Sequence, residues 1–346
     1  MTRRKRAHHY IPEFHLAQFI GYPGRREFGV FDKKWGKFAR RPVATSAVYL
    51  DYYAVPGATP DERLRVEDEF ARLENQVAPL IVELANLPVG AMVGLDGSDR
   101  QALAEYAATL HVRVPAWRDQ AMARAVDLTT DLGALGLDDP QRFLARARAG
   151  GIAGTDDDLE RQRATFAADI QTGRRAIKVS NAASLVALTP AVGKGAPLLV
   201  ERHWELLRMD EWPGLVLGDQ PVSLFSAGRL APSIGFGTAG VQVMMPLSPK
   251  VLLVVDDRPR EALLRVVSAR YPSIREPWWA VANKVAWLTS QRYVFAQNVG
   301  HLEATEALIP EEFRRRDLRE LDPDEEAAMR QRDRQQRVEW RRQGLL

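Results

Sequence analysis

The chain has no cysteine. Disulfides, zinc–thiolate sites, iron–sulfur clusters and thiol nucleophiles are therefore excluded. There is also no run of about 18 uninterrupted apolar residues, the length that crosses a bilayer as a helix. Even Val241–Val255 is interrupted by Pro246, Ser248 and Lys250. The basic N-terminus is not followed by the apolar stretch of a signal peptide. A soluble, cytoplasmic protein without membrane association is the expectation. Other signatures are missing too: a Walker-type Gly-rich loop, Gly-x-Gly-x-x-Gly, His-Glu-x-x-His and Gly-x-Ser-x-Gly. Nucleotide-hydrolysing motors, Rossmann dehydrogenases, zincins and α/β-hydrolases are accordingly poor candidates. Ser223 and Ser226 have no nearby histidine in sequence, so a serine nucleophile has no support.

What is present is a sizeable core and an uneven charge. The 346 residues are 46% hydrophobic and 27% charged, enough apolar material to fold. Net charge is only +3, yet residues 1–42 hold eleven Lys/Arg against three Asp/Glu, a balance of +8. The remaining 304 residues carry 37 basic and 42 acidic groups, a balance of −5. A basic segment on a mildly acidic body attracts phosphate or nucleic acid. The plainer alternative is a solvated terminus that keeps the protein soluble.

Histidine is scarce but concentrated. Three of the six lie at His8, His9 and His15, directly behind Arg3-Arg4-Lys5-Arg6. Pro12 suits the first turn of a helix, and Leu16, Phe19 and Ile20 then share one face. His8 and His9 are thus expected at an extended-to-helix junction, their side chains pointing to opposite faces.

Further along, Phe28–Phe31 and Phe38–Arg41 read as a hairpin across Asp32–Gly36, and Val43–Val55 as a further strand. Thr59-Pro-Asp-Glu62 is a capping box opening a helix, in which Val66, Phe70, Leu73, Val77, Leu80 and Leu84 form a buried seam. A second box, Ser98-Asp-Arg-Gln101, starts a long helix that Pro115 should kink or break near Leu110–Val114. Gly133–Asp139 reads as a break, Gln141–Ala149 as a short helix, and Thr155-x-x-Asp158 as the cap of another helix running to roughly Ala187. From His203 the pattern changes. Trp204–Met209, Gly214–Leu217, Val241–Leu247 and Val251–Val255 read as short antiparallel strands, with a Gly-rich loop at 226–240. Pro259–Tyr271 and Trp278–Thr289 are expected to be helices, with Arg292–Ala296 a last strand.

Six dispersed segments carry a family resemblance. They are His8-His-Tyr-Ile-Pro-x-Phe-x-Leu-x-x-Phe19, Glu67-x-x-Phe-Ala-x-x-Glu74 and Arg113-x-Pro-x-x-Arg118, then Leu217-Gly-Asp-Gln-Pro-Val222, Pro246-Leu-Ser-Pro249, and Asn283 leading to Arg292-Tyr-Val-Phe295. In this order over about 290 residues the chain resembles the bacterial family called domain of unknown function 4238. The match departs at Gly218, where the family pattern has Ser, and at Gln220, where it has Asn. The resemblance implies a fold unit and a set of site residues, and no reaction.

Several of these residues are suited to chemistry. Glu67 and Glu74 lie seven apart on one helical face, spaced to serve as metal ligands or as acid and base. The structural alternative pairs them with Arg63, Arg72 or a neighbouring helix. Arg113 and Arg118 flank the interruption at Pro115 and offer planar forks for phosphate, or else an ion pair with Glu67 or Glu74. Asp219, at the end of an apolar strand, is placed to ligate a metal or act as a base, or to close an Asx-turn before Pro221. The His-His pair before an aromatic residue, Ile and Pro resembles the opening of His-Asn-His nucleases. That motif proper is not met, because no asparagine precedes Asn75 and Pro12 separates His15 from His8.

Together these readings give an α+β fold: a predominantly helical single domain with a small antiparallel β-sheet. Residues 1–310 form that domain in four stretches (1–58 basic and His-rich, 59–200 helical, 203–256 stranded, 258–310 helical), followed by a charged tail at 311–346, helical or disordered. The leading expectation is a metal-dependent hydrolase acting on a phosphodiester or phosphate-bearing substrate, nucleases included. Glu67, Glu74 and Asp219 would hold Mg²⁺ or Mn²⁺ through oxygen. His8 or His9 would be the general base or a further metal ligand, and Arg113 and Arg118 would clamp phosphate. The alternative is a non-catalytic protein that recognises a small anion or an acidic partner.

Overall fold

The computed structural model describes residues 7–50, 52–53, 60–137, 139–172, 182–210, 212–226, 234–269 and 277–314. The Arg3–Arg6 tetrad, the Thr59 cap, residues 227–233 of the Gly-rich loop and the tail beyond 314 lie outside them. Among the described residues helix accounts for 49% and strand for 25%, in three sheets of two, four and six strands, one of them mixed. This corrects the expected predominantly helical fold with one small antiparallel sheet.

In chain order the N-terminal third contains β1 (Ala7–His9), α1 (Glu13–Ala17), β2 (Glu27–Asp32), β3 (Lys37–Pro42), β4 (Val48–Leu50) and α2 (Pro60–Asn86). Then come β5 (Met92–Gly94), α3 (Gly97–Arg113), α4 (Pro115–Leu137), α5 (Pro140–Ala149), α6 (Asp156–Gln171) and α7 (Ala182–Val200). The last part holds β6 (Arg202–Arg208), β7 (Leu217–Gly218), β8 (Ser223–Ser226), β9 (Val241–Ser248), β10 (Val251–Pro259), β11 (Leu263–Ser268), α8 (Trp278–Thr289), β12 (Tyr293–Ala296) and α9 (Val299–Glu306).

The chain divides into two compact units: residues 1–52, 67–114 and 192–346 form one, residues 53–66 and 115–191 the other. All three sheets belong to the first. Its six-stranded sheet runs β5-β11-β6-β10-β9-β8, with β11 parallel to β6 and every other pair antiparallel. Period-2 alternation sends Trp204, Leu206, Val243, Leu253 and Val255 into a core shared with Leu73, Val77 and Ile81 of α2 and Leu103 and Leu110 of α3. The intervening residues Leu207, Met244, Leu252 and Val254 pack with Ala282 and Val285 of α8. With both faces buried, β6, β9 and β10 read as the apolar runs expected of strands, whereas the short β5, β8 and β11, partly exposed, are strands that the sequence pattern does not mark. The stretch expected as a helix at Pro259–Tyr271 holds β11 instead. Its Leu264 and Val266 are buried and Arg265 exposed, the alternation of a strand.

The four-stranded sheet runs β3-β2-β12-β7, all antiparallel. One face packs Phe31, Val294 and Ala296 on Trp287 and Leu302. Buried Lys33 donates through Nζ to the carbonyls of Trp287 (3.2 Å) and Ser290 (2.8 Å), placing a cation at the C-terminal end of α8. β1 and β4 form the third sheet, with His8 opposite Tyr49.

α3 ends at Arg113 because Val114, ahead of Pro115, is extended (φ −75°, ψ 152°). Its N-cap is Asp96, whose side chain accepts from Asp99 N, rather than Ser98. α4 continues through the break expected at Gly133. In the second unit α5 is capped by Asp139 and α6 by the reciprocal Thr155–Asp158 box. Among the described residues no helix is long and apolar enough to cross a membrane.

Candidate functional site

Residues from the first three family-like segments meet in the first unit. α2 turns Glu67, Phe70 and Glu74 to one side, as the i, i+3, i+7 spacing requires. On β1 His8 is buried and His9 half-buried, so alternation separates the pair. His8 Nε2 approaches Glu67 Oε2 at 3.0 Å. This is an ion-pair approach without hydrogen-bond alignment. Oε2 is buried, although the Glu67 side chain is a quarter exposed.

Arg113, 3% exposed, is gripped on three sides. Nη1 donates to Glu74 Oε1 at 2.7 Å, Nη2 donates to the His9 carbonyl at 2.5 Å, and the guanidinium lies 4.6 Å from the Phe70 ring centre. The arginine expected to clamp phosphate therefore ties α3 to α2 and fixes the backbone that carries the two histidines. Arg118 lies half-buried on α4, in the second unit.

Behind this cluster His15 is fully buried. Its Nε2 donates to the Pro246 carbonyl (2.7 Å), leaving Nδ1 to accept from the Tyr106 hydroxyl (2.8 Å). Burial lowers the His15 pKa to about 4, against the partly opposing hydrogen bond to Pro246, so the imidazole is neutral. Burial raises the Tyr106 phenol, and the Glu74 carboxylate adds to this while Arg113 opposes it. Tyr106 was not singled out from sequence. Its signal is its position two turns before Arg113 on one helix face.

Asp219 does different work. Oδ1 accepts from Gln291 N (2.8 Å), and Oδ2 from Arg292 N (2.7 Å) and Tyr293 N (2.9 Å). The carboxylate thus clamps the turn between α8 and β12, while Asp219 N donates to Tyr293 O. Its charge also lies near Tyr10, whose phenol is raised first by burial and then by Asp219. Asn283 makes a similar clamp. It accepts from Val216 N (3.0 Å) and donates to Gly214 O (2.8 Å).

The three carboxylates expected to share a metal are thus held in three separate arrangements: Glu67 at His8, Glu74 at Arg113, Asp219 at backbone amides. Among the described residues no group of three or more His, Asp or Glu side chains is arranged to hold a metal ion. At Gly218 a Cβ would lie 2.4 Å from Ser290 Oγ, so the hydroxyl of Ser290 fills the space that a serine at 218 would need.

The fold and site define a mixed helix-and-sheet protein, its sheets mainly antiparallel, with a buried imidazole beside a partly exposed carboxylate and a buried arginine bonded to the next backbone carbonyl. The chain belongs to the family described as Protein of unknown function (DUF4238), whose model matches residues 7–299. No curated protein and no solved structure matches it.

Proposed function

We propose that this protein is a hydrolase acting on a phosphate-bearing substrate, phosphodiesters included, with His8 as general base and Glu67 orienting it. The observation that carries this reading is the 3.0 Å approach of His8 Nε2 to Glu67 Oε2. A carboxylate beside an imidazole fixes its orientation and stabilises the imidazolium formed when it takes a proton from water. Catalytic contacts in a free enzyme are often poorly aligned and tighten on substrate binding. Arg113 acts as a positioning residue through its bond to the His9 carbonyl. The phosphate preference rests on the basic balance of residues 1–42.

The test is turnover of bis(4-nitrophenyl) phosphate and 4-nitrophenyl phosphate, in EDTA and with added Mg²⁺ or Mn²⁺. General acid–base catalysis contributes about 10²–10⁴-fold, so His8→Ala should lower turnover by about a hundredfold or more. Glu67→Gln should give a smaller loss. Equal turnover in both variants and the parent would sink the proposal. Melting shifts with phosphate but no turnover in any ion would favour the binding-protein alternative.

A further inference from the structure

On the sheet face opposite Phe31 and Val294, strand alternation brings together Asp32, Arg41 and Tyr293, joined by Arg292. The guanidinium groups of Arg41 and Arg292 lie 4.9 and 4.7 Å from the centre of the one Tyr293 ring. Asp32, buried at the hairpin end, holds both: its Oδ2 is 3.1 Å from Arg292 Nη2 and 3.6 Å from Arg41 Nη2. One carboxylate against two guanidinium groups leaves the cluster positive, and exposed Lys37, paired with Asp32 across the ladder, adds to it. At the hairpin tip Lys34 lies 5.3 Å from the ring of Trp35, which is 62% exposed. Tyr49, 46% exposed, stacks on Tyr52 at 5.4 Å and sits opposite His8 in register.

We propose that this face binds single-stranded nucleic acid, with bases stacking on Trp35, Tyr49 and the outer sides of the two guanidinium groups and phosphates meeting Lys34 and Lys37. Lys34, Lys37, Arg41 and Arg292 stand against Asp32 here, the charge a polyphosphate chain complements. Cations alone would suit any polyanion. Flat, half-exposed aromatic and guanidinium faces interleaved with them are the arrangement on which unpaired bases stack, because a duplex hides its base faces. The guanidinium planes are fixed by Asp32 and Tyr293 before a ligand arrives, so little side-chain freedom is lost on binding. The strand is held here whether or not it is cleaved, so the inference stands apart from the hydrolase reading.

The experiment is fluorescence anisotropy with a labelled oligo-dT strand and a duplex of equal length, across a salt series. The full-length His8→Gln protein is used, so that turnover cannot consume the probe. The expected result is binding that weakens steeply with salt and prefers the single strand. Trp35→Ala and Tyr49→Ala should each weaken it roughly tenfold, and Lys37→Glu should weaken it and flatten the salt dependence. All three side chains are exposed, so an unchanged melting midpoint separates lost binding from lost fold. Equal affinity for duplex, no binding at low salt, or affinity untouched by all three substitutions in folded protein would overturn the proposal.

Discussion

Arg113 and Glu74 face each other at 2.7 Å across the junction of α3 and α2, the arginine buried and the glutamate open at its edge. The asymmetry decides what each substitution costs. Removing Glu74 leaves a buried cation without that carboxylate, so Glu74→Ala should destabilise by about 3 kcal/mol. Arg113→Ala removes the bonds to Glu74 and to the His9 carbonyl together with the packing on Phe70, so it should cost at least as much. A double-mutant cycle read by urea unfolding should give a coupling of about 2 kcal/mol. A coupling near zero would mean that the pair is incidental to stability.

Asp219 was expected at a reactive centre, and the structure places it as a clamp on Gln291, Arg292 and Tyr293. Asp219→Ala should cost about 3 kcal/mol, since hydrogen bonds to a charged group are each worth more than neutral ones. Asp219→Asn should cost less, because one amide oxygen still accepts. Turnover per folded molecule should be unchanged in both. A variant of full stability with lost turnover would return Asp219 to the chemistry.

Much of the local structure was legible because it is written in short-range signals. α8 occupies Trp278–Thr289, the span read from its apolar pattern, and the helix break before Pro115 follows from that one residue. The joining of His8 to Glu67 and of Arg113 to Glu74 could be approached because each residue stands in a recognisable segment. The clamp made by Asp219 was not legible because its partners are backbone amides more than seventy positions later, and no side-chain pattern marks them. β11 misled for a related reason. Its parallel partner β6 is distant in sequence, and Leu263–Ser268 is short enough to fit either period. Tyr106 and Tyr293 were missed because a lone tyrosine in an apolar element reads as core.

His15 supplies a pH dependence with a definite sign. Its folded pKa of about 4 lies below the ordinary 6.5, so between these values the unfolded chain binds a proton that the native imidazole does not. Stability is therefore complete above pH 6.5 and falls as pH drops toward 4, by about 3 kcal/mol in all. Urea unfolding from pH 7.5 to 4.5 should show that slope, and His15→Gln should flatten it. The same slope in the variant would assign the acid sensitivity to other groups.

Gly218 and Ser290 test whether a hydroxyl has changed places within the fold. A Cβ at 218 would lie 2.4 Å from Ser290 Oγ and 2.8 Å from the Ala286 carbonyl, both inside van der Waals contact. Ser290 Oγ itself donates to that carbonyl at 2.6 Å. Gly218→Ser should thus destabilise by roughly 2–3 kcal/mol through overpacking. Adding Ser290→Gly removes the nearer obstacle and lets the new hydroxyl reach the Ala286 carbonyl. The double variant should recover most of the loss, although the carbonyl contact keeps the recovery incomplete. Thermal melting of the three variants decides it. If the second substitution deepens the loss, Ser290 is needed for its own bond to Ala286, and the two positions do not exchange a hydroxyl.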